Sequence, residues 1–236
     1  MNASQIIKIL KELASEEKAL FLPKFFKTGK GEYGEGDLFL GVVVPEQRQV
    51  AKEYYNKVSL RDLEELLGSP YHEIRLTAFL ILVLLYEKNT SQRHELCDFY
   101  LEHLYAANNW DLVDSTAYKI LGKHCYDTDN VQPMYELANS KIMWEKRVAV
   151  VATLYFIKKK VFEPTCGIVL KNLQHPHDLM HKANGWMLRE MGKQDENYLL
   201  SFIKKHYFDM PRTTLRYAIE KLDTAERKEI LNWKKT

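Results

Sequence analysis

Four residues of complementary chemistry stand out in this chain: Trp110, Asp114, Arg147 and Trp186. An indole face attracts a cation by about 0.5–2 kcal/mol. A carboxylate stabilises positive charge, and an arginine guanidinium binds phosphate through two parallel hydrogen bonds. Trp110 and Asp114 are four residues apart, which places them on one face of a helix, about one turn apart. Together, the four side chains could hold a cationic group beside a phosphate.

An internal repeat is the reason to expect these residues on one surface. The strings RLTAFLI, DSTAYKI, KRVAVVA and KANGWML share one pattern, in which two spacers separate the first residue from a small residue. Their first residues are Arg75, Asp114, Lys146 and Lys182, at intervals of 39, 32 and 36, and a weaker copy begins at Leu215. A period of this size is typical of stacked helix pairs, in which equivalent positions line up along one face.

Helical periodicity extends over almost the whole chain. Val148, Val151, Ala152 and Tyr155, for example, form an i, i+3, i+4, i+7 stripe. No stretch of useful length alternates apolar and polar residues as a strand would. Helices are predicted at about 3–20, 45–57, 60–67, 71–87, 91–106, 110–124, 131–138, 143–159, 162–173, 178–191, 195–206, 211–221 and 224–234. The predicted fold is therefore all-α: a HEAT-like helix-pair repeat solenoid (an α-α superhelix) that forms a single domain over 1–236.

Charge is distributed unevenly along the predicted repeat. From Asn139 to the end there are 19 Lys and Arg against 11 Asp and Glu, whereas the first 138 residues have a net charge of −6. The basic half contains Arg147 and Trp186, which favours a concave basic face that binds a polyanion. The alternative is that the charges are uneven by chance and are simply exposed to solvent, with no binding role.

The cysteines and the hydropathy of the chain indicate where it functions. Cys97, Cys125 and Cys166 are widely spaced and form no CxxC pair, as is usual in a reducing cytoplasm. The longest apolar run, 78–86, has nine residues, fewer than the roughly 20 that cross a bilayer. The N-terminus is an amphipathic helix interrupted by charge and does not resemble a signal peptide. We expect a soluble cytoplasmic protein with no membrane contact.

Two further segments invite a binding function. Residues 27–41 contain five of the ten glycines, but no strand precedes them and the GK[ST] ending of a phosphate-binding loop is missing. A flexible loop able to touch a ligand backbone is the preferred interpretation. His175, His177 and His181 suggest a metal, yet no matched carboxylate or cysteine completes a tetrahedral set. Histidines around a helix N-terminus are favoured instead, and neither a metal nor a cofactor is expected.

Four segments together resemble a known family. They are DLFLGVVVPEQRQVAK (37–52), NNWDLVDS (108–115), MWEKRVAV (143–150) and KANGWMLREMGK (182–193). The chain is similar to the AlkD-like DNA alkylation repair proteins, HEAT-repeat DNA glycosylases that excise N3- and N7-alkylated purines. The resemblance covers nearly the whole chain. It implies that duplex DNA containing alkylated purines is the partner, and that the protein acts as a monomer in base excision repair, bound to the nucleoid of a bacterial-type cell.

The resemblance also implies roles for individual residues. Asp114 matches the catalytic aspartate, Trp110 and Trp186 match the tryptophans that contact the lesion-bearing deoxyribose, and Arg147 matches an arginine that contacts the backbone there. An alkylated purine is already cationic and leaves without a general acid, so the carboxylate has only to stabilise an oxocarbenium-like sugar. The family does not require the damaged base to enter a deep pocket. The N-terminal aromatic expected near the lesion corresponds to Phe26 or Phe25, where the family has a tyrosine.

Additional DNA contacts are expected at Phe26 and Arg48 in the first half of the chain. In the basic half they are expected from residues near helix starts or on the predicted inner faces of helices: Lys182, Arg189, Arg212 and Arg216. The rival interpretation is a non-catalytic HEAT scaffold that binds DNA or protein. A scaffold has no need for a Trp, Asp, Arg and Trp constellation, and the glycosylase interpretation is therefore preferred.

Overall fold

The structure is a computed structural model that describes residues 1–233. Within this range the chain is all-α, as predicted, and forms no β-strand beyond an isolated bridge between Leu38 and Tyr71. The α-helices are, in chain order, α1 (Ala3–Glu12), α2 (Glu16–Phe25), α3 (Val44–Tyr54), α4 (Leu60–Leu67), α5 (His72–Lys88), α6 (Arg93–Glu102), α7 (Trp110–Thr116), α8 (Lys123–Asp127), α9 (Gln132–Ala138), α10 (Met143–Ala152), α11 (Leu154–Lys158), α12 (Glu163–Asn172), α13 (Asp178–Gln194), α14 (Glu196–His206), α15 (Arg212–Ala218) and α16 (Thr224–Leu231). Short 3₁₀ turns and one π-helical turn, Tyr118–Gly122, connect some of them.

The helices gather into two compact units, residues 1–120 and 121–236. The first contains α1 to α7 and the second α8 to α16. A single domain over the whole chain stays a prediction, as do the concave basic face and the HEAT type of repeat. No helix in the described range is long and apolar enough to cross a membrane.

The first unit is built around α5. Every residue from His72 to Val83 is buried, because α3, α4, α6 and α7 pack around this helix. A helix that is apolar on all sides is expected to be enclosed in this way. Buried polar side chains lie at its N-terminal end, which is the end that faces the site described below.

The second unit is built around α13, which packs against α10, α12, α14 and α15. Gly185 allows α15 to approach closely: a Cβ at this position would collide with the Tyr217 side chain and lie 2.6 Å from the Thr214 carbonyl oxygen. Trp186 follows directly and is only partly buried.

The repeat anchors fall near helix starts, as the sequence pattern predicts. Arg75, Lys146 and Leu215 are the fourth residues of α5, α10 and α15, and Asp114 and Lys182 are the fifth residues of α7 and α13. Each copy of the pattern therefore marks the first turn or two of a helix.

Some predicted bounds are wrong. The helix predicted over 3–20 is two helices. The Ser15 backbone N–H donates to Leu40 O at 2.9 Å and so does not continue the hydrogen bonding of α1, and the Ser15 side chain caps α2. The helix predicted over 110–124 is not one regular α-helix. Helix α7 ends at Thr116, and the π-helical turn and then α8 follow it. The last predicted helix, 224–234, ends at Leu231, and its residue 234 lies outside the described range.

Candidate functional site

Trp110 and Asp114 line a pocket of about 530 Å³ in the first unit. Its walls come from α2, the segment 39–44, α3, α5 and α7. Helix α7 begins at Trp110, so Trp110 and Asp114 are one turn apart on the same helix, as their spacing predicts. The lining is mainly aromatic and aliphatic, and its charged members are three carboxylates and three cations: Glu73, Asp111, Asp114, Lys18, Arg48 and Lys119. Aromatic faces next to a carboxylate suit a cationic group.

Aromatic rings surround Trp110. Phe26 stacks on it with ring centroids 5.5 Å apart, and Phe25 meets it edge-on at 5.9 Å. Phe26 is only 8% exposed and also stacks on Phe39, whereas Phe25 is 51% exposed. Of the two candidates for the N-terminal aromatic, Phe26 therefore lies in the wall and Phe25 at the accessible rim.

The start of α7 is fixed by asparagines. Asn109 is the N-cap, and its side chain accepts a hydrogen bond from the Trp110 N–H at 2.9 Å, which satisfies one of the free donors of the first turn. Its Nδ2 donates to Phe26 O at 3.4 Å. Asn108 does not cap the helix but donates to the Asp37 carboxylate at 2.8 Å. The cap thus ties Trp110 to the aromatic wall.

His72, which lines the pocket, lies between two carboxylates. Its Nδ1 is 3.0 Å from Asp37 Oδ2 and its Nε2 is 2.8 Å from Asp111 Oδ2. Burial disfavours the charged imidazole, but hydrogen bonds and charge from Asp111 and Asp37 outweigh it and raise the pKa of His72 to about 9. At neutral pH the ring is therefore an imidazolium that holds Asp111, next to Trp110, in place.

Arg75 completes this buried network. Its guanidinium donates to Asp37 at 2.8 Å, to Asn108 at 2.9 Å and to the backbone carbonyls of Ser69 and Ala106. Burial raises the pKa of Asp37, but the His72 hydrogen bond and the Arg75 charge hold it below its ordinary value. Two cations and two carboxylates thus compensate each other next to the apolar wall.

The second unit contains the other two predicted catalytic residues. Arg147 is buried on α10, and its guanidinium donates to Leu179 O. Trp186 lies on α13, and its indole N–H donates to Glu190 Oε1 at 3.2 Å. Trp110 and Asp114 belong to the first unit, so the gathering of all four side chains on one surface stays a prediction.

The predicted DNA-contact residues differ in how they are held. Arg48 is exposed and lines the pocket of the first unit. Lys182 pairs with Asp178 at 2.7 Å, and Arg189 pairs with Glu220. Arg212 donates to Leu231 O at 2.8 Å, and Arg216 is exposed. Phe26 is the sixth, in the wall already described.

The histidine cluster forms the start of α13. His177 is its N-cap and accepts the Leu179 N–H at 3.1 Å, and His181 bonds to His175 O at 2.6 Å. Burial lowers the pKa of both His175 and His177. No group of three or more potential metal ligands is found among residues 1–233.

The glycine-rich segment folds against the site. Its backbone turns back so that the Gly34 N–H donates to Lys27 O at 2.9 Å, and the segment leads directly to Asp37. The fold of this segment therefore positions the Asp37 carboxylate next to His72.

Sequence reasoning did not identify Gln47, His72 or Asp111 as site residues. All three line the pocket. Gln47 lies within a segment that carries the family resemblance, and Asp111 follows Trp110 directly, but neither has a spacing that indicates its role. His72 and Asp111 are 39 residues apart, and only the folded structure brings them together.

Comparisons with known proteins agree with this architecture. The model of a family described as DNA alkylation repair enzyme matches residues 6–222. No match is found among curated proteins. A solved structure titled a predicted DNA alkylation repair enzyme from Enterococcus faecalis is 16% identical, with 89% of this chain and 97% of that chain covered at a TM-score of 0.69. At this identity the likeness shows the fold alone.

Proposed function

The chain belongs to the DNA alkylation repair enzyme family, and we propose that it is a DNA glycosylase that excises cationic N3- and N7-alkylated purines from duplex DNA. The observation that carries this proposal is the position of Asp114, one of three carboxylates in a pocket whose lining is mainly aromatic and aliphatic. Such a pocket suits a ligand that is both flat and positively charged.

The chemistry requires little from the protein. When the C1′–N bond breaks, the bonding electron pair leaves with the base, which becomes neutral, and positive charge develops on the deoxyribose. The Asp114 carboxylate stabilises that charge. A water molecule then adds to C1′ and releases its proton, which leaves an abasic site. No general acid is needed because the alkylated base is a good leaving group.

Trp110, Trp186 and Arg147 have supporting roles in this proposal. The indoles enclose the sugar and add cation–π stabilisation, and Arg147 binds a backbone phosphate. Arg48, Lys182, Arg189, Arg212 and Arg216 contribute phosphate contacts, which position the duplex without reading its sequence. Of the two N-terminal aromatics, the exposed Phe25 is better placed than Phe26 to meet DNA.

Asp114→Asn tests the proposal, because it keeps the shape of the side chain and removes its charge. Single-turnover release of 7-methylguanine from methylated duplex DNA should fall about 100–1,000-fold, the usual effect of losing one well-placed electrostatic group. DNA affinity should stay constant or rise, since a carboxylate repels phosphates. Asp98→Asn, on the exposed face of α6, is the matched control. Excision by Asp114→Asn at the wild-type rate would rule out this mechanism.

The wild-type protein tests the activity itself. Release of 7-methylguanine is the expected result. Binding to duplex DNA with no release of any alkylated purine would favour a non-catalytic scaffold instead.

A further inference from the structure

Cations gather around the pocket of the first unit, although this half of the chain is acidic. Residues 1–138 have a net charge of −6. Lys18, Arg48 and Lys119 nevertheless line the pocket that contains Asp114, in addition to the buried His72. Lys18 and Arg48 are exposed and Lys119 is half-buried, so their charged groups lie within reach of a ligand from solvent.

Two of the three carboxylates in the lining are already compensated inside the protein. Glu73 accepts two backbone N–H groups, from Leu40 at 3.0 Å and from Gly41 at 2.8 Å. Asp111 Oδ2 bonds to the His72 imidazolium at 2.8 Å. The cations nearer to solvent are therefore not needed to balance these two groups, and a negatively charged ligand is a suitable partner for them.

A second cavity, of about 240 Å³, adjoins the pocket and shares two of its cations. Arg48 and Lys119 line both cavities. Lys52, one turn after Arg48 on α3, also lines the second cavity, as does Glu87. Arg48 and Lys119, called the cation pair below, therefore lie where the pocket passes into a groove with a further cation. Such a groove gives a polyanion a continuous path away from the pocket.

The cation pair lies around Tyr118, which also lines the pocket. Lys119 Nζ is 5.7 Å from the centroid of the Tyr118 ring. Burial and a nearby carboxylate raise the pKa of Tyr118, and the charge of Arg48 opposes this rise, so the guanidinium lies close to the phenol. Lys119 belongs to the π-helical turn that follows α7, and such turns are frequent at functional sites.

The substrate of the proposed reaction supplies the anion. Each deoxyribose within a DNA strand carries one phosphate on its 3′ oxygen and one on its 5′ oxygen, both a short distance from C1′. A sugar beside Asp114 therefore brings a phosphate to the rim of the same pocket, where carboxylates alone would repel it. An arginine and a lysine at that rim offset the repulsion, because guanidinium and ammonium groups bind phosphate oxygens through charge-assisted hydrogen bonds.

We propose that Arg48 and Lys119 together bind a phosphate attached to the alkylated nucleotide itself, an inference that rests on the glycosylase function proposed above. The first unit then holds the lesion by its sugar and its phosphate and leaves the base outside. Such a contact fixes the position of the strand and carries no sequence information. Lys119, which sequence reasoning did not identify, becomes a DNA-binding residue next to the reacting sugar.

Binding to a duplex that contains tetrahydrofuran, a stable analogue of an abasic site, measures this contact without catalysis. In two otherwise identical duplexes, an uncharged methylphosphonate replaces the phosphate on the 3′ side or on the 5′ side of the analogue. By fluorescence anisotropy, one of these substitutions should weaken binding to the wild type about five- to thirtyfold, the usual effect of losing one contact between charged groups.

The double variant Arg48→Met/Lys119→Met should lose the response to that methylphosphonate. It should bind the unmodified duplex about five- to thirtyfold more weakly than the wild type, with no further loss when the phosphate is neutralised. The matched control, Arg61→Met/Lys11→Met, removes the same two residue types from exposed positions of the first unit that line neither cavity. This control should respond to the methylphosphonate as the wild type does. Thermal unfolding of each variant establishes that it is folded.

The outcomes separate this site from the proposed function. If the double variant responds to the methylphosphonate as strongly as the wild type, or if neither substitution weakens wild-type binding, the phosphate site is overturned, whatever the release of 7-methylguanine shows. If the response depends on the cation pair but the wild type releases no alkylated purine, the phosphate site stands as a DNA contact and the glycosylase function is removed.

Discussion

His72 is a single residue on which the geometry of the pocket depends. Its imidazolium joins Asp37 to Asp111, with Arg75 on the far side of Asp37. The imidazolium is the cation that pairs with the largely buried Asp111, whereas Asp37 is paired with Arg75 as well. Loss of this proton should loosen the connection between α5 and the start of α7.

This arrangement predicts a pH dependence of stability. The pKa of His72 rises from 6.5 to about 9 on folding, so its contribution is fully present below pH 6.5 and is lost as the pH rises towards 9. The full contribution is on the order of 3 kcal/mol. The free energy of unfolding, measured by urea denaturation between pH 6 and 9, should therefore decrease with pH in the wild type.

His72→Gln should flatten that dependence, and His94→Gln, at an exposed histidine of α6, should not. Parallel pH profiles for the wild type and His72→Gln would mean that folding does not raise the pKa of His72.

The two tryptophans should matter less than Asp114. Only the carboxylate offers negative charge to the developing cation, and a cation–π contact contributes about 0.5–2 kcal/mol. Trp110→Ala and Trp186→Ala should therefore each slow single-turnover excision about 2- to 30-fold. Trp233→Ala is the control, since Trp233 packs on Tyr207 and lines no part of the pocket of the first unit. A loss at either position larger than that of Asp114→Asn would contradict the assigned roles.

At the level of elements, Gly41 determines where α2 lies against the pocket wall. Its φ is +83°, and a Cβ there would collide with Ser15 O and lie 2.8 Å from the Ala19 backbone nitrogen. Helix α2 can therefore pack closely on residue 41 and hold Phe21 and Phe25 at the pocket mouth.

Gly41→Ala and Gly36→Ala form a matched pair. Gly36 has a φ of +91° but no atom within 4 Å of an added Cβ. Gly36→Ala should cost only the left-handed backbone strain, roughly 1–2 kcal/mol. Gly41→Ala adds the collision, for a total of about 2–5 kcal/mol. Urea denaturation measures both. Equal destabilisation by the two variants would mean that α2 is not held by this contact.

Helix starts were predictable from sequence, and the break before α2 was not. Trp110 begins α7 because Asn109 caps it, and both the helical periodicity and the cap are local signals. The break before α2 depends on the hydrogen bond from the Ser15 N–H to Leu40 O, between segments far apart in sequence. Local propensity alone cannot show such a contact.

The pocket could not be predicted from sequence either, because its lining residues come from segments that are far apart along the chain. Asp114 and Trp110 were identifiable because they share one helix, whereas Gln47, His72 and Asp111 meet only after folding. Glutamine, histidine and aspartate are common at helix ends and among buried polar residues, so these residue types do not by themselves indicate a site. Only the missing partner of Gln47 Oε1, a property of the folded chain, distinguishes that residue.

At the scale of the whole molecule, charge is distributed between the two halves of the chain. Residues 139–236 have 19 Lys and Arg against 11 Asp and Glu, although the protein has a net charge of only +2. Affinity for duplex DNA should therefore come mainly from phosphate contacts in the second half, be nearly independent of sequence, and decrease steeply with salt.

The structure identifies the best residue for a test of this electrostatic binding. Lys182 and Arg189 already pair with Asp178 and Glu220, so their replacement would disturb the protein as well as the DNA contact. Arg216 is exposed on α15. Arg216→Ala should weaken binding to all sequences alike and reduce the slope of log K against log[salt] by about 0.9, the value for one phosphate. Arg61→Ala, at an exposed arginine of α4 in the acidic half, should change neither. Because counterion release depends on the number of phosphates neutralised, a salt-independent affinity in the wild type would mean that the basic half binds a partner other than DNA.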